Sequence, residues 1–364
     1  MTRFTDIITE RNVVVCCGTG GVGKTTTAAM LAVEAARRGR SAVVVTIDPA
    51  KRLSDALGLE ALSDTPAEID HALWDPEGRS AGRLSALMLD TKSTFDKLVH
   101  EHAPDAEAAQ RILDNNFYRN ISGALGGTQE YMAMEKLHEL HSTGTFDLIV
   151  VDTPPSRHAL DFLDAPDRLL RLLDNRMFRL LMAPTRAYLK VASAALAAFL
   201  RTIAGVVGRE VVDDAIAFFQ AFEGMEAGFR TRAAAVQALI DDPATAFVLV
   251  TSPRRDAVEE ASFFATRLEA NDLAVAGVIV NRVHPSFGGA GADTVRHAAA
   301  DATTTIGAEA LTNLAEYREI GEREQLALTG LTDRIPSDAV GFVPMFDRDV
   351  HDLEALAVVA GYLL

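Results

Sequence analysis

Basic charge, cysteine and uninterrupted apolar runs are all scarce in this chain of 364 residues. Lys and Arg total 35 against 51 Asp and Glu, a formal net charge of −16, so the cationic surface that neutralises nucleic-acid phosphates is missing and no nucleic-acid partner is expected. Any anion site must be local. Cysteine occurs twice, as the neighbours Cys16 and Cys17, which excludes a disulfide framework and a metal site with ordinary ligand spacing. No zinc is expected, and a reducing, cytoplasmic setting suits such a chain. The first residues show no charged segment leading into an apolar core and a small-residue cleavage site, so they do not read as an export signal. The most apolar long stretch, 188–208, carries Lys190 and Arg201. An Arg near mid-span costs roughly 2.5–3.5 kcal/mol on insertion scales, so the stretch reads as a helix of a soluble protein.

What is present is a foldable composition: 48% hydrophobic residues, 24% charged and a mean hydropathy of +0.10. At ~150 residues per domain the length holds about two domains' worth of core. Six short β-branched runs, at 12–17, 41–47, 84–90, 146–152, 246–252 and 274–281, end in polar or Gly-rich turns and read as buried strands. Helical segments such as 25–38 and 256–269 separate most of them. That alternation predicts an α/β fold with a doubly wound, mostly parallel sheet. Two intervals, 91–142 and 156–242, are too long and too helical for simple crossovers and predict helical insertions forming a subdomain of one domain over 1–364. A helix is expected over 115–140 in the first, and interruptions at Pro166 and Pro184 in the second. The stretch 285–305, rich in Gly, Ala, Asp and Thr, predicts a loop, and no tandem repeat is present.

Gly18-Thr19-Gly20-Gly21-Val22-Gly23-Lys24-Thr25 matches G-x-x-x-x-G-K-[ST] between a strand and a helix. Glycines let backbone N–H groups approach phosphates, the helix N-terminus attracts anions, Lys24 supplies charge to the β- and γ-phosphates, and the Thr25 hydroxyl is suited to Mg²⁺. Gly20, Gly21, Val22, Gly23, Lys24, Thr25 and Thr26 are thus the candidate nucleotide contacts, as against a flexible turn. Asp48 and Asp152 each follow an apolar strand at its carboxyl end, where open α/β sheets bind ligands. Asp48 suits the orientation of an attacking water, and Asp152 suits a second Mg²⁺ contact with Thr25. A helix cap is the plain alternative for each.

The phosphate loop, the run 48–55 (DPAKRLSD), the segment 127–132 (GTQEYM), the run 152–158 (DTPPSRH) and Pro344-Met345-Phe346 with 350–356 (VHDLEAL) together resemble the arsenical-pump-driving ATPases and the related tail-anchored-protein-targeting ATPases. The likeness spans nearly the whole chain and is greatest to actinobacterial members. It implies ATP and Mg²⁺ as ligands and a dimer that closes on ATP and opens after hydrolysis, with helical insertions transmitting the change. It also implies Asp48 as the water-positioning residue, Asp152 as the Mg²⁺-linked switch, Asn281 as the adenine reader, and Pro344 with Phe346 as part of the adenine wall.

One departure from that family's pattern is large: a second lysine of the phosphate loop, which reaches the partner's nucleotide, is here Thr19. A cation delivered in trans is worth ~10³–10⁵ in rate where arginine fingers supply it. Three readings stay open. The chain pairs with a lysine-bearing paralogue; or Lys51, Arg52 or Arg157 replaces the cation in a homodimer; or the protein is a slow or non-hydrolysing ATP-bound switch. The paired-cysteine zinc site and metalloid-binding cysteines of the family are also missing, so neither regulation is expected. In the helical insertions, Leu170, Leu173, Met177 and Leu181, then Tyr188, Val191, Ala195, Phe199 and Ile203, then Phe218, Phe219, Phe222 and Met225 form an apolar stripe. It reads either as interhelical packing or as a groove for an apolar client or membrane-protein partner. A DNA- or membrane-bound partitioning ATPase is disfavoured by the acidic balance and the cation-free tail 353–364, and a kinase by the two switch-like runs.

Overall fold

The computed structural model describes residues 3–48, 52–116, 118, 128–154, 161–175, 202, 204–205, 208–221, 225–285 and 289–364. The chain divides into two compact units, one of Met1–Met88, Thr145–Ala159 and Pro243–Leu364, the other of Leu89–Gly144 and Leu160–Asp242.

The first unit is built on eight strands: β1 (Val13–Cys17), β2 (Ser41–Thr46), β3 (Ala67–Glu68), β4 (Arg83–Met88), β5 (Leu148–Asp152), β6 (Thr245–Thr251), β7 (Val275–Val283) and β8 (Val340–Pro344). Their order is β3-β4-β2-β5-β1-β6-β7-β8, and every neighbouring pair is parallel except β3 with β4. Strands covered on both faces need apolar side chains on both, which is why they read as continuous Val-rich runs. Val14, Val44, Val150 and Val248 pack into one core with the helices Lys24–Arg37 and Leu353–Ala360. The helix Arg255–Ala270 packs against β6, with Ala257 on Val250, and buries Val258, Ala261 and Phe264 as well. This is the α/β, mostly parallel architecture expected from the sequence.

Three expectations need correction. β3 has only two residues, and β8 is broken by Gly341 and ended by Pro344, so neither carries a β-branched run and both escaped the pattern. The stretch 285–305 is not simply a loop: Ala292–Ala300 is a helix, and Thr305–Thr332 follows as a helix of 28 residues. The shorter helix buries Ala292, Val295 and Ala299, a stripe so small that it carries little hydropathy signal. Its first N–H groups are met by a carboxylate from far along the chain, Ala292 N–H donating to Glu322 Oε1 at 2.9 Å, while Arg296 pairs with Glu319 at 2.8 Å. Finally, Pro166 does not interrupt its helix, which runs Asp161–Asp174 through it.

The second unit is helical in its described residues: Thr91–His102, Ala106–Leu113, Thr128–Ser142, Asp161–Asp174, Arg209–Ala221 and Glu226–Asp241. Asn115 stands as a cap before the helical residues 116 and 118, as expected: its Oδ1 accepts from the Tyr118 N–H at 3.2 Å, and its Nδ2 donates to the Asp214 carbonyl at 3.0 Å. Val99, Ile112, Tyr118, Met132, Phe218 and Phe229 form the core. Leu173, Phe218 and Met225 of the apolar stripe are buried in that same core, with Leu170 partly buried against it. Met177, Leu181, Tyr188, Val191, Ala195, Phe199, Ile203 and Phe222, and the Phe219 side chain, lie outside the described residues.

Candidate functional site

The turn between β1 and the helix at Lys24 carries the phosphate-loop pattern, and its glycines answer to specific neighbours. Gly18 passes the β6 backbone so closely that a Cβ would stand 2.0 Å from the Val250 carbonyl oxygen. Gly23 has φ +98°, left-handed, and its Cβ would stand 2.3 Å from Asn281 Nδ2. Val22 anchors the turn, buried with Val250 and Ala257, while Gly20 and Gly21 are exposed at its tip. Lys24 is buried and donates from Nζ to the Thr19 carbonyl at 2.8 Å. Burial lowers its pKa, against the pull of Asp152.

β5 lies between β1 and β2, which puts Asp152 beside both neighbouring strand ends. It is paired in register with Thr46 of β2. Thr25 donates from Oγ1 to Asp152 Oδ2 at 2.7 Å, and Thr46 donates to the same oxygen at 3.1 Å. Thr46 Oγ1 in turn accepts from the Asp48 N–H at 3.2 Å. A chain of four residues therefore runs from the phosphate loop to Asp48. Asp152 is 1% exposed, and burial pushes its carboxyl up to about 6, with Thr25, Lys24 and Thr46 holding it lower.

The other carboxylate oxygen, Asp152 Oδ1, is buried and has no hydrogen-bond partner. Leaving such an oxygen unsatisfied costs roughly 1–3 kcal/mol or more for a charged group. A hard cation removes that cost. The Thr25 hydroxyl has committed its hydrogen to Asp152, so its lone pairs remain for the same ion, and the oxygen-only donor set suits Mg²⁺. The residues fit the ion.

Lys24, Thr25, Thr26, Asp48, Asn281, Pro344 and Phe346, all named from sequence, line one cavity of about 760 Å³ in the sheet unit. Gly21 and Gly23 line it as well; Asp152 stands behind it through Thr25. Arg52, one of the three candidate substitute cations, lines the cavity and pairs with Asp48 at 3.5 Å. Lys51 and Arg157 lie outside the described residues. Phe346 packs on the core and tilts against Tyr362, ring centres 5.9 Å apart.

Sequence reading missed Thr46, Arg282, Arg348 and His351, the last three lining the cavity. The signal for Thr46 was a hydroxyl at the carboxyl end of a Val-rich strand, two residues before Asp48. The two cysteines are buried in β1, and burial pushes both thiols up, Cys17 to about 12. Among the described residues no group of three or more His, Cys, Asp or Glu gathers around a common point, and no helix is long and apolar enough to cross a membrane.

Comparison with known proteins gives a family model described as anion-transporting ATPase, matched by residues 11–294. Among curated proteins, the ATPase GET3 of Malassezia globosa is 29% identical over 164 residues, which is 43% of either chain. The ATPase get3 of Aspergillus terreus is 29% identical over 160 residues, again 43% of either chain, and that of Mycosarcoma maydis 27% over 156 residues. The matched segment thus spans less than half the length of these relatives.

Proposed function

Because the chain belongs to the anion-transporting ATPase family, we propose that it hydrolyses ATP in the presence of Mg²⁺ and uses the cycle to change how two copies meet. The observation that carries this is the unpartnered Asp152 Oδ1 beside Thr25, on a relay that ends at the Asp48 backbone. A protein that merely stored nucleotide needs no second carboxylate at the strand ends to position a water.

In this reading the loop N–H groups and Lys24 hold the β- and γ-phosphates, and Thr25 with Asp152 holds the cation. Bound Mg²⁺ would neutralise charge developing on the transferred phosphoryl group. Asp48 accepts a hydrogen bond from the attacking water and so orients it. Thr46 fixes both the Asp152 carboxylate and the Asp48 backbone. Asn281, Pro344 and Phe346 take the base. The two copies face one another across the nucleotides, and the helical unit, from 89–144 and 160–242, forms a subdomain that carries the surface for an apolar client or membrane-protein partner. Leu173, Phe218 and Met225 belong to its core and take no part in that surface. The setting is the reducing cytoplasm.

Thr19 favours a second reading, in which the chain hydrolyses slowly until a lysine-bearing paralogue pairs with it. Arg52 in the cavity supports the homodimer instead. Mg²⁺-dependent turnover measured over a wide protein concentration range, with Asp48→Asn as the control, decides between them. A rate per molecule that rises with concentration and vanishes in the variant is expected for the homodimer. A flat rate at the level of the variant, with tight ATP binding, indicates the paralogue or a switch.

A further inference from the structure

The end of β7 is irregular in a way the strand itself does not need. Its pairing with β8 shifts register between Val280 and Val283, and Arg282 within that shift has φ +61°, a left-handed backbone that a non-glycine residue seldom adopts. Irregularities of this kind re-aim a side chain. The side chain re-aimed here is Asn281. Its Nδ2 donates to the Val22 carbonyl at 2.8 Å, in the middle of the phosphate loop, and its Oδ1 accepts from the Arg282 N–H at 2.9 Å. Both partners agree on which end of the amide is which, since a carbonyl only accepts and an N–H only donates. The amide also occupies the space that a Cβ at Gly23 would need.

We propose that Asn281 is a positioning residue for the phosphate loop, so that one side-chain amide joins the base end of the cavity to its phosphate end. This rests on the nucleotide-site reading above. A residue whose only task is to read a base has no reason to be held by the loop carbonyl. Each end of the amide has one bond made and a second N–H or lone pair to spare, so the group can meet a base while it holds the Val22 carbonyl. Base binding and loop geometry are then linked, and binding of phosphates alone depends on Asn281 although they never touch it.

The test uses tripolyphosphate, which has the phosphates of ATP and no base, titrated by calorimetry beside ATP into the full chain. In Asn281→Ala, tripolyphosphate affinity is expected to fall about fivefold to tenfold, the worth of one loop hydrogen bond. Amide exchange of residues 18–25 in the nucleotide-free protein is expected to quicken while the rest of the sheet unit keeps its protection. Asn281→Leu, with the same branched heavy-atom shape, is expected to behave alike and stands in if alanine unfolds the chain. Unchanged tripolyphosphate affinity with weakened ATP would overturn the proposal and leave Asn281 a base contact only. Unchanged affinity for both would overturn it as well. Wild-type protein that binds tripolyphosphate and not ATP would remove the nucleotide reading while the loop role of Asn281 stands; wild-type protein that binds neither would overturn both.

Discussion

Among the described residues each unit buries one carboxylate side chain, and burial raises both alike while their hydrogen-bond surroundings differ. Asp152 in the sheet unit and Glu135 in the helical unit are 1% and 2% exposed, and burial pushes both up to about 6. Glu135 is closed in: Arg232 Nε donates to Oε1, Tyr131 Oη donates to Oε2 at 3.4 Å, and Arg232 also reaches Glu101 at 3.2 Å. Every oxygen has a donor, and the group ties the helices Thr128–Ser142 and Glu226–Asp241 together. Asp152 has two donors on one oxygen and none on the other, behind an open cavity. A raised carboxyl alone does not mark a functional group; at Asp152 it coincides with an unsatisfied oxygen beside the phosphate-loop hydroxyl of Thr25.

The sharpest way to break that contrast is Asp152→Asn, which should reduce single-turnover ATP hydrolysis on the order of 10³-fold, as loss of a cation-linked charge does. Wild-type turnover in this variant would put Asp152 in the same structural class as Glu135. The converse change, Arg232→Met, leaves Glu135 buried without its cation and should cost about 3 kcal/mol in urea unfolding at neutral pH, with turnover per folded molecule unchanged. Thr46→Val removes a hydroxyl at constant shape and should lower kcat about tenfold while ATP affinity holds, with Thr46→Ser restoring the rate. An equal loss of affinity would make Thr46 a packing residue.

The smallest effect is that of pH. The ionised form of Asp152 is the one that would bind Mg²⁺ and protons compete for it, so the Mg²⁺ concentration needed for half-maximal turnover should rise as pH drops below about 6. Stability of the nucleotide-free protein runs the other way through this group. The folded chain binds that proton more tightly than the unfolded chain, whose carboxyl titrates near 3.8, so lowering the pH from about 6 to about 4 stabilises. Asp152→Asn should remove that slope from unfolding curves taken across the interval.

The fold class was legible because six strands carry short apolar runs, most of them rich in Val, and the phosphate loop stands between a strand and a helix. What escaped did so for local reasons. β8 contains Gly341 and Pro344, and the helix at Ala292 draws its stability from Glu322 and Glu319, thirty residues and more than twenty residues later, which no window of sequence brings together. At the cavity, Lys24, Thr25 and Asp48 were named because each type has its own chemistry, and Asn281 through the family resemblance alone. Thr46 was not, since its task follows from standing opposite Asp152 in a sheet where β5 separates β1 from β2. The link from Asn281 to Val22 crosses 259 positions and was likewise invisible.

The strand order has a consequence for biogenesis. β5 is inserted between β1 and β2, yet it is translated only after the first segment of the helical unit, Leu89–Gly144; β6, partner of β1 on the other side, follows the second segment, Leu160–Asp242. While the chain emerges from the ribosome, the first strands must wait with open edges until residue 152, and β1 waits on its other edge until residue 251. Neither unit is contiguous, so no simple truncation yields either one whole. A nascent chain with β1 exposed for so long is a natural customer for chaperones, and a ribosome that stalls near residue 242 would release a product with that Val-rich edge uncovered.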